Sequence, residues 1–202
     1  MRSGFITLVG RPNVGKSTLV NAMCGRKVSI VSDKPQTTRT RVRGVLTTPE
    51  AQLVFVDTPG LHKPVTALGE RVNATALDSV TDVDVVCLVL DATKPFGKGD
   101  QWVASHLDLA STVVILNKTD AVKGSAVAEQ LMAASGLGAA DYFPVSARTG
   151  RGIPELVAHL AGLLPEGPMF YPDDTISDQP EELWVAELVR EQLLAVTRDE
   201  LP

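Results

Sequence analysis

The sequence predicts an α/β fold: a mostly parallel six-stranded sheet with one antiparallel edge strand and helices on both faces. Three observations point to it. Short apolar runs alternate with longer helix-like stretches along the chain. Four of the runs end in a polar or glycine-bearing turn, at Gly10, Asp57, Asn117 and Ser146. The second and third runs are joined only by Thr48-Pro-Glu-Ala51, too short for a crossover helix, so that pair is expected to be antiparallel.

In order, the strand candidates are Phe5–Val9, Val42–Thr47, Leu53–Val56, Val85–Leu90, Thr112–Leu116 and Tyr142–Val145. Ligands of open α/β sheets bind beyond the carboxyl ends of the strands, so the four turns are expected to face one site. A length of 202 residues with 44% hydrophobic content suits one ordinary domain with a short piece of a second. The net charge of −5 argues against a nucleic-acid grip by this stretch alone, since such domains are usually basic. Weak RNA binding with a shallow salt dependence is the expectation. Cys24 and Cys87 sit far apart among apolar residues and read as buried thiols, in keeping with a reducing cytoplasm. No leader is expected, because glycine and charge break up the first apolar run. None of the apolar runs approaches the roughly 18 residues of a membrane span.

The first domain is expected to span 1–164 and a linker 165–179. Three prolines and a glycine within Pro165–Asp174 cannot continue a helix. A new amphipathic helix starts around Pro180, with Leu183, Ala186, Val189, Leu193 and Val196 on one stripe. Glu181 and Glu182 in its first turn and Arg198 in its last suit the helix dipole. Either this helix docks back on the first domain, or it opens a second domain that is cut off; truncation is the favoured expectation.

Gly10-Arg-Pro-Asn-Val-Gly-Lys-Ser follows the first strand and opens a helix, the pattern of a phosphate-binding P-loop. Glycines let backbone N–H groups curl around phosphates, and the helix N-terminus adds positive potential. The candidate contacts are Gly10, Arg11, Pro12, Asn13, Val14, Gly15, Lys16, Ser17 and Thr18. Lys16 would reach the β- and γ-phosphates and the Ser17 hydroxyl would ligate Mg²⁺. Asn117-Lys-Thr-Asp ends the fifth strand candidate. A carboxylate at Asp120 can accept from both N1–H and the exocyclic amine of guanine, which adenine does not offer, so this motif argues against an ATPase or a small-molecule kinase. Asn117 would hold the loop and touch the base edge, and the Lys118 stem would cover the ring. Ser146-Ala-Arg, after the last strand, would bring the Ala147 N–H near guanine O6, with Ser146 and Arg148 beside it.

Asp57-Thr-Pro-Gly follows the third strand. Asp57 would hold Mg²⁺ through water and the Gly60 N–H would meet the γ-phosphate, with Thr58 and Pro59 between them. Within Lys34-Pro-Gln-Thr-Thr-Arg-Thr-Arg, Thr38 is the choice to complete the metal shell and Thr37 the reserve. Lys16, Thr38, Gly60 and Asn13 are the candidate catalytic residues. A third-strand successor at Leu61, where Ras-like enzymes carry a water-orienting glutamine, cannot do that work. His62 reads as a bystander, and His106 and His159 form no metal constellation.

Taken in order, these motifs resemble TRAFAC-class GTPases and, within them, the bacterial Era family. Pro35-Gln-Thr-Thr-Arg together with Pro59-Gly-Leu-His narrows the resemblance, and Phe170-Tyr-Pro-Asp-Asp and the closing Asp199-Glu-Leu-Pro resemble that family's linker and the start of its KH domain. The resemblance implies slow GTP hydrolysis with Mg²⁺, binding to 16S rRNA and the small ribosomal subunit through a KH domain, a role in ribosome assembly, and peripheral membrane association. It also implies a K⁺ ion held partly by Asn13, unless Asn13 merely shapes the loop. The KH Gly-x-x-Gly loop that clamps RNA backbone has no match in this sequence. A monomer is expected. The rival expectation is a nucleotide-gated binding module with negligible turnover, in which GTP only orders the Thr38 loop.

Overall fold

The computed structural model describes residues 1–34, 37–38, 41–62 and 67–197. Six strands form one sheet: β1 (Arg2–Val9), β2 (Val42–Thr47), β3 (Ala51–Asp57), β4 (Val85–Asp91), β5 (Thr112–Asn117) and β6 (Asp141–Pro144). Their order is β2-β3-β1-β4-β5-β6, parallel except for the β2–β3 pair. This is the expected sheet, with antiparallel β2 at its edge. Thr48 closes the hairpin: its N–H and hydroxyl both donate to the Ala51 carbonyl.

The helices are α1 (Lys16–Cys24), α2 (Ala67–Thr81), α3 (Lys98–Ala104), α4 (Gly124–Ser135), α5 (Ile153–Leu163) and α6 (Glu181–Val196). Alternating side chains send each central strand into two cores. Cys87 and Val89 of β4, with Val113 and Ile115 of β5, pack beside Leu19 and Val20 of α1 and Leu156 and Leu160 of α5. Leu88, Leu90, Val114 and Leu116 point the other way, beside Ala76 of α2, Val103 of α3 and Ala134 of α4. The strands therefore read as continuous apolar runs because both faces are covered. Fully burying a side chain such as Phe55 or Leu53 contributes about 2–3 kcal/mol. Cys24 and Cys87 are free and buried, and burial pushes both thiols up to about 12, so neither is reactive at neutral pH.

Parallel register brings the motif-bearing turns together. Leu8 stands opposite Asp57, and Asp91 opposite Asn117. The chain leaves β1 with β3 on one side and β4 on the other, the point in an open sheet where a crevice forms.

The segment after α5 is extended, as read from its prolines, but it is strapped to the sheet. Ile176 O accepts from the Val45 N–H of the edge strand. The buried Gln52 amide accepts from the N–H groups of Phe170 and Tyr171 and donates to the Tyr171 carbonyl. Arg43 pairs with Asp178 at 2.9 Å and stacks over Phe5. These contacts cover the edge that β2 would otherwise leave open to another chain.

Helix α6 turns a mixed face to the first domain, burying Leu194 among polar contacts. Glu191 pairs with Lys27 and accepts from the Val31 N–H at 2.9 Å, Arg190 donates to Thr37 O at 2.8 Å, and Lys34 Nζ donates to Thr197 O. Burial opposes the Glu191 charge, but the bonds from Lys27 and Val31 outweigh it and hold its carboxyl below the usual range. The apolar stripe faces away: Leu183, Val189 and Val196 are 57%, 56% and 80% exposed. Pro35, Gln36, Arg39, Arg198 and Asp199–Pro202 of the sequence reading lie outside the described residues.

Candidate functional site

The turn after β1 wraps the start of α1 with little room. Asn13 and Gly15 adopt positive φ of 63° and 95°, and a Cβ on Gly15 would fall 2.5 Å from the Asn117 amide nitrogen. Lys16, only 6% exposed, donates to the carbonyls of Gly10 and Arg11, both at 3.2 Å. Burial lowers its pKa to about 8, with Asp57 opposing the shift. The Asp57-Thr-Pro-Gly turn lies directly on this loop. Leu61 N–H donates to Gly10 O, Thr58 Oγ1 to Leu8 O, and a Cβ on Gly60 would meet Pro12 Cα at 2.6 Å. Pro12, Asn13, Lys16, Ser17, Thr18, Thr38, Thr58 and Gly60 line one cleft.

Three oxygen donors meet in that cleft. Ser17 Oγ and Thr38 Oγ1 are 3.1 Å apart, and Thr38 Oγ1 donates to Asp57 Oδ2 at 3.4 Å. Thr37 lines the same cleft, but its hydroxyl is on Lys34 O at 2.8 Å, whereas that of Thr38 is beside Ser17 and Asp57. Asp57 is fully buried. Its burial raises the pKa, with Ser17 and Lys16 among the groups opposing, and its Oδ1 has no hydrogen-bond partner. Such an orphaned buried oxygen costs about 1–3 kcal/mol, which a cation or its bound water would relieve. Among the described residues no group of three His, Cys, Asp or Glu could hold a metal. Two hydroxyls and one carboxylate form a hard-oxygen set, suited to Mg²⁺ beside phosphates.

The base loops are cross-braced. Asn117 Nδ2 donates to Val14 O and its Oδ1 accepts from the Ala147 N–H, both at 3.0 Å. One buried amide therefore ties the P-loop to both base motifs. The Ala147 hydrogen, expected at guanine O6, is engaged by Asn117 in this structure. Asp120 Oδ1 accepts from Ser146 Oγ at 2.6 Å, and its Oδ2 pairs with Arg148 Nε at 3.0 Å. The Ser146 bond is the main cause holding the Asp120 carboxyl below its usual range. Arg148 enters through its side chain, which is 80% exposed, so the pair contributes at most about 1 kcal/mol.

The family model described as "50S ribosome-binding GTPase" matches residues 5–118. GTPase Era of Nocardioides sp. is 49% identical over 210 aligned positions, which cover all of this chain and 67% of that protein. The chain belongs to the Era family of GTPases. Like its family, it binds GTP and hydrolyses it to GDP and phosphate. Two solved Era structures superpose over the whole chain at 37% identity, covering 70% of each. One is a variant of Aquifex aeolicus Era bound to GDP and AlF4⁻, with a TM-score of 0.92. The other is Era in complex with MgGDPNP and nucleotides 1506–1542 of 16S ribosomal RNA, with a TM-score of 0.93.

Against the Era motifs, sequence reasoning missed three supporting side chains. Asp91 holds Lys118, and Asp100 holds Arg11 at 3.2 Å. Asn73 grips the backbone of His62 from α2, accepting from its N–H and donating to its carbonyl. An aspartate closing an apolar strand at Leu90-Asp91 was the signal available for the first; the other two carry none.

Proposed function

We propose that this Era-family chain is a Mg²⁺-dependent GTP switch that works in assembly of the small ribosomal subunit. The observation that carries the switch reading is the meeting of Thr38 with Ser17 and Asp57. Ser17 and Thr38 would hold the metal directly and Asp57 through water; when bound, the ion neutralises charge on the β- and γ-phosphate oxygens. Lys16 binds those same phosphates, and the Gly60 N–H faces the γ-phosphate. Asp120 reads the guanine edge, with Ser146 and Ala147 behind it. Leu61 is buried in the core beside α2 and positions no water, so turnover is slow. We assign the charge near the β/γ bridge to K⁺. The Asn13 amide nitrogen is engaged by Asp33 O at 2.7 Å, and its oxygen is the atom that would contact the ion.

Thr38→Ala is expected to spare GDP affinity and to weaken Mg²⁺·GTP about tenfold, whereas Thr37→Ala leaves the difference between the two nucleotides intact. Titration of fluorescent GDP and of a non-hydrolysable GTP analogue, with and without Mg²⁺, measures this. Equal damage to both nucleotides in the Thr38 variant would mean that another residue closes the shell. Single-turnover hydrolysis in potassium and in sodium, run on the intact chain and on Asn13→Ala, reports on Asn13 and separates slow catalysis from a mere nucleotide-gated module.

Support for the ribosomal role comes from the Era structure that carries 16S rRNA. It is a nearer relative than the family model whose description names the 50S particle. In this reading 1–164 is the GTP-binding domain, 165–179 a strap, and α6 the first helix of a KH-type RNA-binding domain that would cover Leu183, Val189 and Leu193. The acidic 202-residue chain is expected to bind a 16S rRNA fragment weakly, with a log–log salt slope below about 2 in magnitude. A salt titration measures it. Tight, sequence-selective binding would place the RNA site on the GTP-binding domain and overturn this division of labour. A cytoplasmic setting belongs to the same reading and is supported by two free, buried thiols.

A further inference from the structure

Asp91 closes β4 directly opposite Asn117, the first residue of the base motif. Its side chain is 4% exposed and both of its oxygens are used. Oδ1 accepts from the N–H and the hydroxyl of Thr93, at 2.9 and 2.6 Å. Oδ2 accepts from Lys118 Nζ at 2.7 Å, and the same ammonium donates to Asn13 O at 2.6 Å. The lysine thus spans from the base motif to the phosphate loop, with its far end fixed between a carboxylate and a P-loop carbonyl. Its backbone sits at a φ of 66°, so the start of the stem is constrained as well.

A free lysine loses rotamer entropy each time a base docks on its stem. A stem already pinned at both ends is ordered before the nucleotide arrives. Burial penalises the Asp91 charge, yet the bonds from Lys118 and Thr93 outweigh it and hold the carboxyl below its usual range. The anion is therefore maintained where Lys118 needs it.

We propose that Asp91 is a positioning residue for nucleotide retention, acting by holding Lys118 across the ring face of the bound guanine. The inference rests on reading Lys118 as the cover of the base. A bland alternative is that Asp91 only ties down its own loop through Thr93. The two differ in whether its effect passes through the lysine.

The test follows release of fluorescent GDP and of a non-hydrolysable GTP analogue by stopped flow. The proteins are the intact chain, Asp91→Asn, Asp91→Ala, Lys118→Ala and the Asp91→Asn/Lys118→Ala pair. Asparagine keeps an acceptor for Thr93 and removes the anion facing Lys118, so it carries the comparison if the alanine variant does not fold. Each single substitution is expected to speed release of both nucleotides roughly tenfold, the loss of one charge-assisted bond. The pair should release no faster than Lys118→Ala, because the two residues act as one unit. Multiplying effects in the pair would overturn the proposal, as would wild-type release from Asp91→Asn beside fast release from Lys118→Ala. Wild-type release from Lys118→Ala would instead remove the reading of the base cover, and the proposal with it.

Discussion

Asp120→Asn is expected to shift nucleotide preference from guanine toward xanthine, with a loss of GTP affinity of about 3 kcal/mol or more, over a hundredfold. In the proposed role the carboxylate would read two N–H groups. Ser146 takes one lone pair of Oδ1 and the exposed Arg148 one of Oδ2, and a carboxylate has about four such sites, so acceptors remain for N1–H and the exocyclic amine. An amide turns one acceptor into a donor. That donor meets the amine of guanine unfavourably and the carbonyl oxygen of xanthine favourably, and it loses Arg148 as well. The Ser146 hydroxyl keeps an acceptor in the variant, so the loop itself is expected to stay in place. Competition binding of GTP, XTP and ATP to both proteins measures the shift. Unchanged GTP affinity in the variant would falsify the base assignment.

Lys16→Ala is expected to weaken GDP and GTP together, each by about 3 kcal/mol, because in the proposed role the ammonium would face the β- as well as the γ-phosphate. The nucleotide-independent geometry shows why no neighbour replaces it. Lys16 is buried beneath its own loop, on the Gly10 and Arg11 carbonyls, and its charge faces the fully buried Asp57. Its burial depresses its pKa to about 8, so the cation is intact at neutral pH and bound phosphate would raise that value. Arg11 is committed to Asp100 and Lys118 to Asp91, so neither cation can swing across. Isothermal titration with GDP, and with a GTP analogue in Mg²⁺, reads both losses. A variant that loses only GTP would place Lys16 on the γ-phosphate alone, and the contrast with Thr38→Ala would disappear.

The sequence alone determined the sheet and its antiparallel hairpin, and it marked the loops proposed to hold phosphate and to read guanine. These are local in origin. A strand buried on both faces must be a continuous apolar run, a connection as short as Thr48–Ala51 cannot hold a crossover, and a glycine-rich turn between strand and helix presents N–H groups whatever surrounds it. What the tertiary structure alone decided concerns partners far apart in the chain. Thr37 and Thr38 are chemically the same, and only folding sends one hydroxyl to Lys34 O and the other to Ser17 and Asp57. Asn117 reads in sequence as a residue that holds the loop and touches the base edge, but what it holds, Val14 and Ala147, is set by folding, because β5 ends beside the P-loop. The prolines after Leu164 marked an extended segment, but Gln52, buried in β3, straps it to the sheet edge. Helix α6 showed its apolar stripe in its spacing, while the polar residues between, Arg190 and Glu191, are the ones that reach the Thr37 loop and Lys27. Periodicity records which residues share a face; which face meets a neighbour depends on where the neighbour folds.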